Sequence, residues 1–342
     1  MPDYSLSVLE VFRDAVARYI QSLQTLSILR DIVPSQASQQ PEWPSWVPDW
    51  SVTTDTKAPD FIVFASGPLK GYATYIDRNT LRVAGVRIGV VEEVWSLPDE
   101  DCLDRLVSRF IRDSVPQGSG EQPYVGGGSL LEAYAFVLTE GEIEESFYGA
   151  ISTWYASMDE VIGLIKSTYS MSDDETERQE PETDLRGVLR VIGNVLRHRA
   201  IFKTEDGYIG VGPKRTVRGD HVCVFSGCEL PMILRASGNS QQYRIVGGSF
   251  VHGYASGEAL LGGLPDHYRF VTFHATKPDL ALPGYLNTRN GIVQKADPRV
   301  LSLPIDVEDY IWRCRRIGVA GVDVSPDVLK GLGVNVMYFD LV

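Results

Sequence analysis

At residue 200 the hydrophobic period of this chain changes, and that change constrains the fold more than any other feature. Upstream, apolar residues recur at helical spacing; downstream they alternate. "AIFKTEDGYIGVGP", "DHVCVFSG", "PMILRASG" and "QYRIVGGSFVHGY" read as short strands punctuated by "EDG", "RGD", "SGCELP" and "SGNSQQ", which are turn compositions. Strands at roughly ten-residue spacing predict a small antiparallel barrel or a strongly curled sheet. The expected class is α+β, a helical half packed on that barrel, with no repeating βαβ order. The expected division is 1–199 for the helical and mixed half and 200–342 for the β-rich half, packed as one body.

The first half opens with "SVLE" at 7–10, a capping box in which Ser7 and Glu10 satisfy each other's backbone amides. It starts an amphipathic helix with Val8, Val11, Phe12, Ala15, Val16, Tyr19, Ile20 and Leu23 on one stripe. Alternation predicts strands at 61–66, 72–76 and 81–95. Helices are expected over 99–114, from the Ser129 cap, over 142–169 as one or two pieces, and over 184–199. Beyond the barrel, 301–318 reads as a helix and "VNVMYFDLV" as a last strand.

Between the first helix and the first strand lies "EWPSWVPDWS" (42–51), which holds three of the six tryptophans. Proline removes amide donors, so the segment suits an irregular crossing outside any ladder. Trp43, Trp46 and Trp50 are expected to staple the helix to the β half, one indole being available to line a cavity at the seam.

Composition excludes several functions. With 32 Lys+Arg against 45 Asp+Glu the chain carries a net charge of −13, the wrong sign for a nucleic-acid or anionic-membrane surface. Four cysteines are too few for a disulfide framework, and Cys223 and Cys228 lack the knuckles and histidines of a zinc site. Without an apolar leader or an 18-residue apolar run, no membrane insertion and a reduced, cytoplasmic location are expected. No G-x-S-x-G elbow, Walker loop or dinucleotide fingerprint occurs, so no metal and no cofactor is expected. The glycines at 126–128 precede a helix and could receive an anion or form a plain loop.

A polar-aromatic constellation remains in the β half: Tyr208, Arg235, Tyr243, Arg244, His252, Tyr254 and Glu258. These groups either satisfy buried partners or converge on a cleft between the halves, where polar groups in an apolar wall make a binding site.

"PDYSLSVLEVFRDAV", "LSILRDI", "WPSWVPDWS", "IFKTEDGYIGVGP", "RGDHVCVFSGCELPMILR" and "YRIVGGSFVHGYASGEAL" follow one another in this order. Together they resemble the region that follows the signalling domain in fungal heterokaryon-incompatibility (HET) proteins, where "LPSWVPDWS" precedes a "GD.V.vl.G...PfvLR" block ending "Y.lvGe.YvhGimdGE". The resemblance covers residues 2 to 260 and is weak over 100–200. Gly248 stands where the family usually has an acid, Phe250 where it has Tyr, and Ser256 where "dGE" has Asp. The chain begins with Met at the junction where the HET domain would end, so the effector half cannot be assumed. Truncated relatives of this kind look like stand-alone catalysts recruited into natural-product gene clusters.

The leading functional expectation is therefore a cofactor-independent cyclase, a pericyclase of intramolecular Diels–Alder type, acting on a small apolar fungal terpenoid or polyketide intermediate. Orientation alone can supply ~7–11 kcal/mol to such a reaction, and a donor in a dry pocket polarises the carbonyl. The expected catalytic residues are His252, Tyr254 and Arg235, with Tyr208, Trp43, Trp46, Trp50 and Glu258 binding substrate. The alternative is a non-enzymatic interaction module of the incompatibility system. A hydrolase or isomerase with an unrecognised Ser/His/Glu site is a third.

Overall fold

The computed structural model describes residues 6–33, 42–51, 63–98, 104–147, 155–170, 186–238, 241–274, 281–317 and 321–342. The helices are α1 (Val8–Leu23), α2 (Asp104–Ser114), α3 (Leu130–Leu138), α4 (Met158–Ser170), α5 (Arg186–Leu196), α6 (Glu258–Leu261), α7 (Val307–Ile317) and α8 (Pro326–Gly331). The strands are β1 (Ala73–Tyr75), β2 (Leu81–Ser96), β3 (Arg199–Thr204), β4 (Ile209–Pro213), β5 (His221–Phe225), β6 (Met232–Ala236), β7 (Gln242–Gly248), β8 (Phe250–Val251), β9 (Tyr268–His274), β10 (Ala281–Asn287), β11 (Ile292–Gln294) and β12 (Met337–Leu341). The fold is α+β, as the change of period implies.

The barrel is closed by strands that lie far outside the alternating segment. β2 pairs antiparallel with β5, β5 with β6 and β6 with β7. β7 then takes β12 in parallel, and β12 returns antiparallel to β2. The ring β2–β5–β6–β7–β12 has no free edge, which removes the hazard of an exposed sheet margin. Its interior is aliphatic and aromatic: Val83, Phe225, Leu234 and Phe339 are fully buried, and Phe339 packs against Phe225 at 5.5 Å in a tilted arrangement and edge-on against Tyr243 at 5.6 Å.

β2 serves two ladders. Its register shifts between Arg87 and Gly89 and again between Val91 and Glu93, and such bulges bend a strand. Beyond Val91 it leaves the ring and pairs with β3, which continues through β4 to β8. Helices α2 to α5 pack on one another and sit on this second ladder through α3 against β4 and α5 against β3. The seam between helices and sheet therefore runs along β3, β4 and β8.

The Trp-Pro segment crosses irregularly. Trp46 is fully buried, donates Nε1–H to the Asn79 carbonyl at 2.9 Å and lies 5.6 Å from Tyr75. Trp43 is buried, donates to the Val47 carbonyl, and meets Phe12 of α1 edge-on at 6.4 Å. Trp50 covers the other side of Phe12 at 5.2 Å but is 42% exposed. Ser45 completes the staple: its hydroxyl donates to the Val342 carbonyl and accepts the Ile245 amide.

Several elements differ from expectation. α1 has its capping box, yet Val8, Val11 and Leu23 are exposed; only Val16 and Ile20 of the expected stripe are buried, with Phe12 and Tyr19 half-buried. Within 61–66, residues 61 and 62 lie outside the described residues and the rest forms turns, after which Leu69 bridges Val322. The helix expected over 142–169 is a 3-10 turn at Glu144–Ser146 followed by α4. The helix expected over 301–318 begins only at Val307, after Pro304. Cys223, Cys228 and Cys314 are buried; Cys102 lies outside the described residues. A three-stranded sheet, β9–β10–β11, occupies a stretch where no element was expected.

Candidate functional site

Two strand ends and a glycine loop meet at the seam. Tyr208 immediately precedes β4 and His252 immediately follows β8. Tyr124, in the loop before α3, ties both together: its hydroxyl donates to the His252 carbonyl at 2.9 Å and accepts the Ile209 amide at 3.0 Å. The chain turns away at Gly253, whose φ is +93°. A Cβ there would lie 3.3 Å from the Tyr208 ring and 3.5 Å from Gly126 Cα, so the close approach favours glycine.

The rings form a continuous wall. His252 stacks on Phe136 of α3 at 4.5 Å and 16°, with Tyr124 at 5.4 Å. Tyr124 meets Tyr208 edge-on at 6.0 Å, and Tyr208 lies 4.6 Å from Tyr254. Burial pushes the His252 imidazole down to about 4, the nearby Glu132 carboxylate opposing the shift. Burial, followed by the Tyr208 hydroxyl beside it, raises the Tyr254 phenol. At neutral pH this cluster offers a neutral imidazole and phenol hydroxyls set among apolar rings, a combination able to donate hydrogen bonds to a carbonyl while stacking on an apolar body.

His252, Tyr254 and Tyr208 are thus brought together, and the other expected site residues are placed elsewhere. Arg235, on β6, grips Asp220 with two 2.8 Å hydrogen bonds and donates a third to the Arg215 carbonyl. Asp220 is buried and also accepts the Val217 amide at 2.9 Å, holding the turn before β5. This pair joins the two ends of the "GD…LR" block. Glu258 turns its carboxylate onto Ser256, taking the amide at 2.7 Å and the hydroxyl; it braces its own turn instead of orienting His252. Trp43 and Trp46 are buried in the staple, whereas Trp50, expected there too, rests on Phe12 of α1 and is exposed.

The glycine loop is not open to an anion at α3, because the Glu132 carboxylate occupies the helix N-terminus, accepting the Ser129 amide at 2.7 Å and the Ser129 hydroxyl. Among the described residues no group of three or more His, Cys, Asp or Glu side chains could hold a metal ion, and no helix is long and apolar enough to cross a membrane.

Two features escaped the sequence reading. Arg299 and Asp297 form a buried pair, with Nη2 to Oδ2 at 2.6 Å. Arg299 also donates to the carbonyls of Gly262 and Ser256, and Tyr285 donates to Asp297. This hub clamps both ends of α6. The second feature is a groove of about 490 Å³ between α1 and β1, lined by Ile20, Gln21, Gln24, Lys70 to Tyr75 and Asp323. Lys70 Nζ donates to Gln24 Oε1 at 2.7 Å and Tyr72 donates to Asp323. The Tyr75 hydroxyl is buried with no hydrogen-bond partner among the described residues, and burial pushes its phenol up to about 12. Gly227 packs against Gly71 of the lining, so closely that a Cβ on Gly227 would fall 2.2 Å from the Gly71 nitrogen.

The architecture defines a class: α+β proteins built on a closed β-barrel with a helical layer against its second ladder. Residues 166–263 match the family model of the Het-6 beta-barrel domain, a span from the end of α4 through α6. The likeness to heterokaryon-incompatibility proteins therefore has support over the barrel segment. No curated protein and no solved structure matches the chain.

Proposed function

We propose that this protein is a binding module of the heterokaryon-incompatibility type that engages a protein partner through the groove between α1 and β1. The observation that carries the reading is the edge of β1 that faces away from β2 and takes no strand among the described residues. The Ala84 amide donates to the Tyr72 carbonyl and the Ile76 amide to the Thr80 carbonyl. That alternation turns the backbone groups of Ala73 and Tyr75 away from β2, toward the groove they line. An extended segment could add there by strand pairing, with side chains reaching Lys70 and Asp323. The test is deletion of the gene in the organism that carries it, with complementation by wild type and by Lys70→Glu. A changed outcome of hyphal fusion, restored by wild type and not by the folded variant, supports the reading. Normal fusion with an altered metabolite profile would overturn it.

A second reading is favoured by the aromatic seam. Tyr208, His252 and Tyr254 could act in a cofactor-independent cyclase of Diels–Alder type, donating hydrogen bonds to a small apolar substrate held against Tyr124 and Phe136. Tyr208→Phe and Tyr254→Phe would then lower turnover by about 10–1,000-fold at unchanged melting temperature. If turnover and stability fall together, the rings are structural.

A further inference from the structure

The end of the barrel carries a concentration of guanidinium groups that runs against the composition of the chain. β6 and β7 place Arg235 and Arg244 directly opposite each other in register, so both side chains leave the same face, an arrangement that is unfavourable for like charges. Arg215, in the β4–β5 turn, joins them: its carbonyl accepts Arg235 Nη2 at 2.8 Å. Acids outnumber bases 45 to 32 in this protein, yet the carboxylate hydrogen-bonded here is that of Asp220, and Arg235 occupies both its oxygens.

Two of the forks are fixed and the third is available. Arg235 is held by Asp220 and the Arg215 carbonyl. Arg244 donates to the Trp43 carbonyl at 3.1 Å, which anchors it to the Trp-Pro segment. The Arg215 guanidinium makes no hydrogen bond or ion pair among the described residues. Arg215 is an exposed residue; partial burial of its guanidinium, followed by repulsion from Arg235 and Arg244, favours loss of its charge. Asp220 balances the charge of Arg235, which leaves the Arg215 and Arg244 charges repelling each other; a bound oxyanion would relieve that repulsion. One guanidinium suffices for a carboxylate, as Arg235 and Asp220 show. A phosphoryl group has three terminal oxygens and close to two charges at neutral pH, which suits several converging forks.

We propose that Arg215, Arg235 and Arg244 form a seat for the phosphoryl group of a phosphate monoester, with Arg215 as the donor that closes on the ligand. The monoester could be a free metabolite or a phosphorylated side chain; both present the same group. This site is separate from the β1 groove and from the aromatic seam, and it stands or falls independently of them.

The test titrates the isotope-labelled full chain with inorganic phosphate, O-phosphoserine and glucose 6-phosphate at constant ionic strength, following the arginine Nε–H resonances. Saturable shifts are expected at Arg215, Arg235 and Arg244. Arg215→Gln should weaken binding by about tenfold or more without changing the melting temperature, and Arg289→Gln, in a distant turn, should bind as wild type. Tighter binding of O-phosphoserine points to a phosphorylated side chain, and tighter binding of glucose 6-phosphate to a metabolite. The proposal is overturned if acetate produces the same shifts, if Arg215→Gln binds like wild type, or if inorganic phosphate enters and neither monoester does.

Discussion

Protonation of His252 should destabilise this protein as the pH falls, by an amount the aromatic seam sets. The ring is stacked on Phe136 and flanked by Tyr124, and burial takes it from its ordinary 6.5 to about 4. Between these two values the unfolded chain binds the proton and the folded chain does not. The stabilisation is therefore complete above about pH 6.5 and is lost progressively as the pH drops toward 4. A depression of this size corresponds to about 3 kcal/mol. Carboxylates titrate in part of the same range, so the measurement needs a reference: His252→Phe, which keeps a ring in the stack and cannot protonate. Urea unfolding at about pH 7.5 and about pH 4.5 should show a loss that is about 2–3 kcal/mol smaller in the variant. Glu132 acts against the shift, but its carboxylate is engaged in the α3 cap. Equal losses in the two proteins, or an imidazole that titrates near 6.5 in the native state by NMR, would refute the argument.

Trp46→Ala removes a fully buried indole and its bond to Asn79, and urea unfolding should register a cost of roughly 3–5 kcal/mol. Asp297→Ala leaves Arg299 buried without its carboxylate; a loss of about 3–5 kcal/mol is expected by thermal unfolding, with α6 the first helix to exchange its amides. Cys223 and Cys228 are buried and burial raises both thiols, Cys228 to about 12. A thiol reagent should therefore modify them only at the rate of unfolding, and fast labelling of the native protein would contradict their placement.

What the sequence determined by itself was local. The period change at 200, the turn dipeptides and the capping boxes at Ser7 and Ser129 depend on neighbours within a few residues, and β3 to β8, α1 and α3 follow from them. The same locality explains the overreach at α1. Val8, Val11 and Leu23 fit the helical stripe, but which part of a stripe is covered depends on what packs against it, and here only Val16 and Ile20 of that stripe are buried. Closure of the barrel was out of reach, because β2 and β12 are 252 residues or more apart at their paired positions, from Gly85 with Met337 to Leu81 with Leu341. No local signal states that a strand near the start and a strand at the very end share a ladder. The site divides in the same way. His252, Tyr254 and Tyr208 stood out as polar groups at strand ends, whereas their partners Tyr124 and Phe136 come from a helical region with no such mark. Arg235 and Trp46 looked equally suitable for a site by residue type. Tertiary structure decided otherwise, placing a carboxylate within 2.8 Å of one and a backbone carbonyl within 2.9 Å of the other, since a donor's role is set by the partner that folding brings to it.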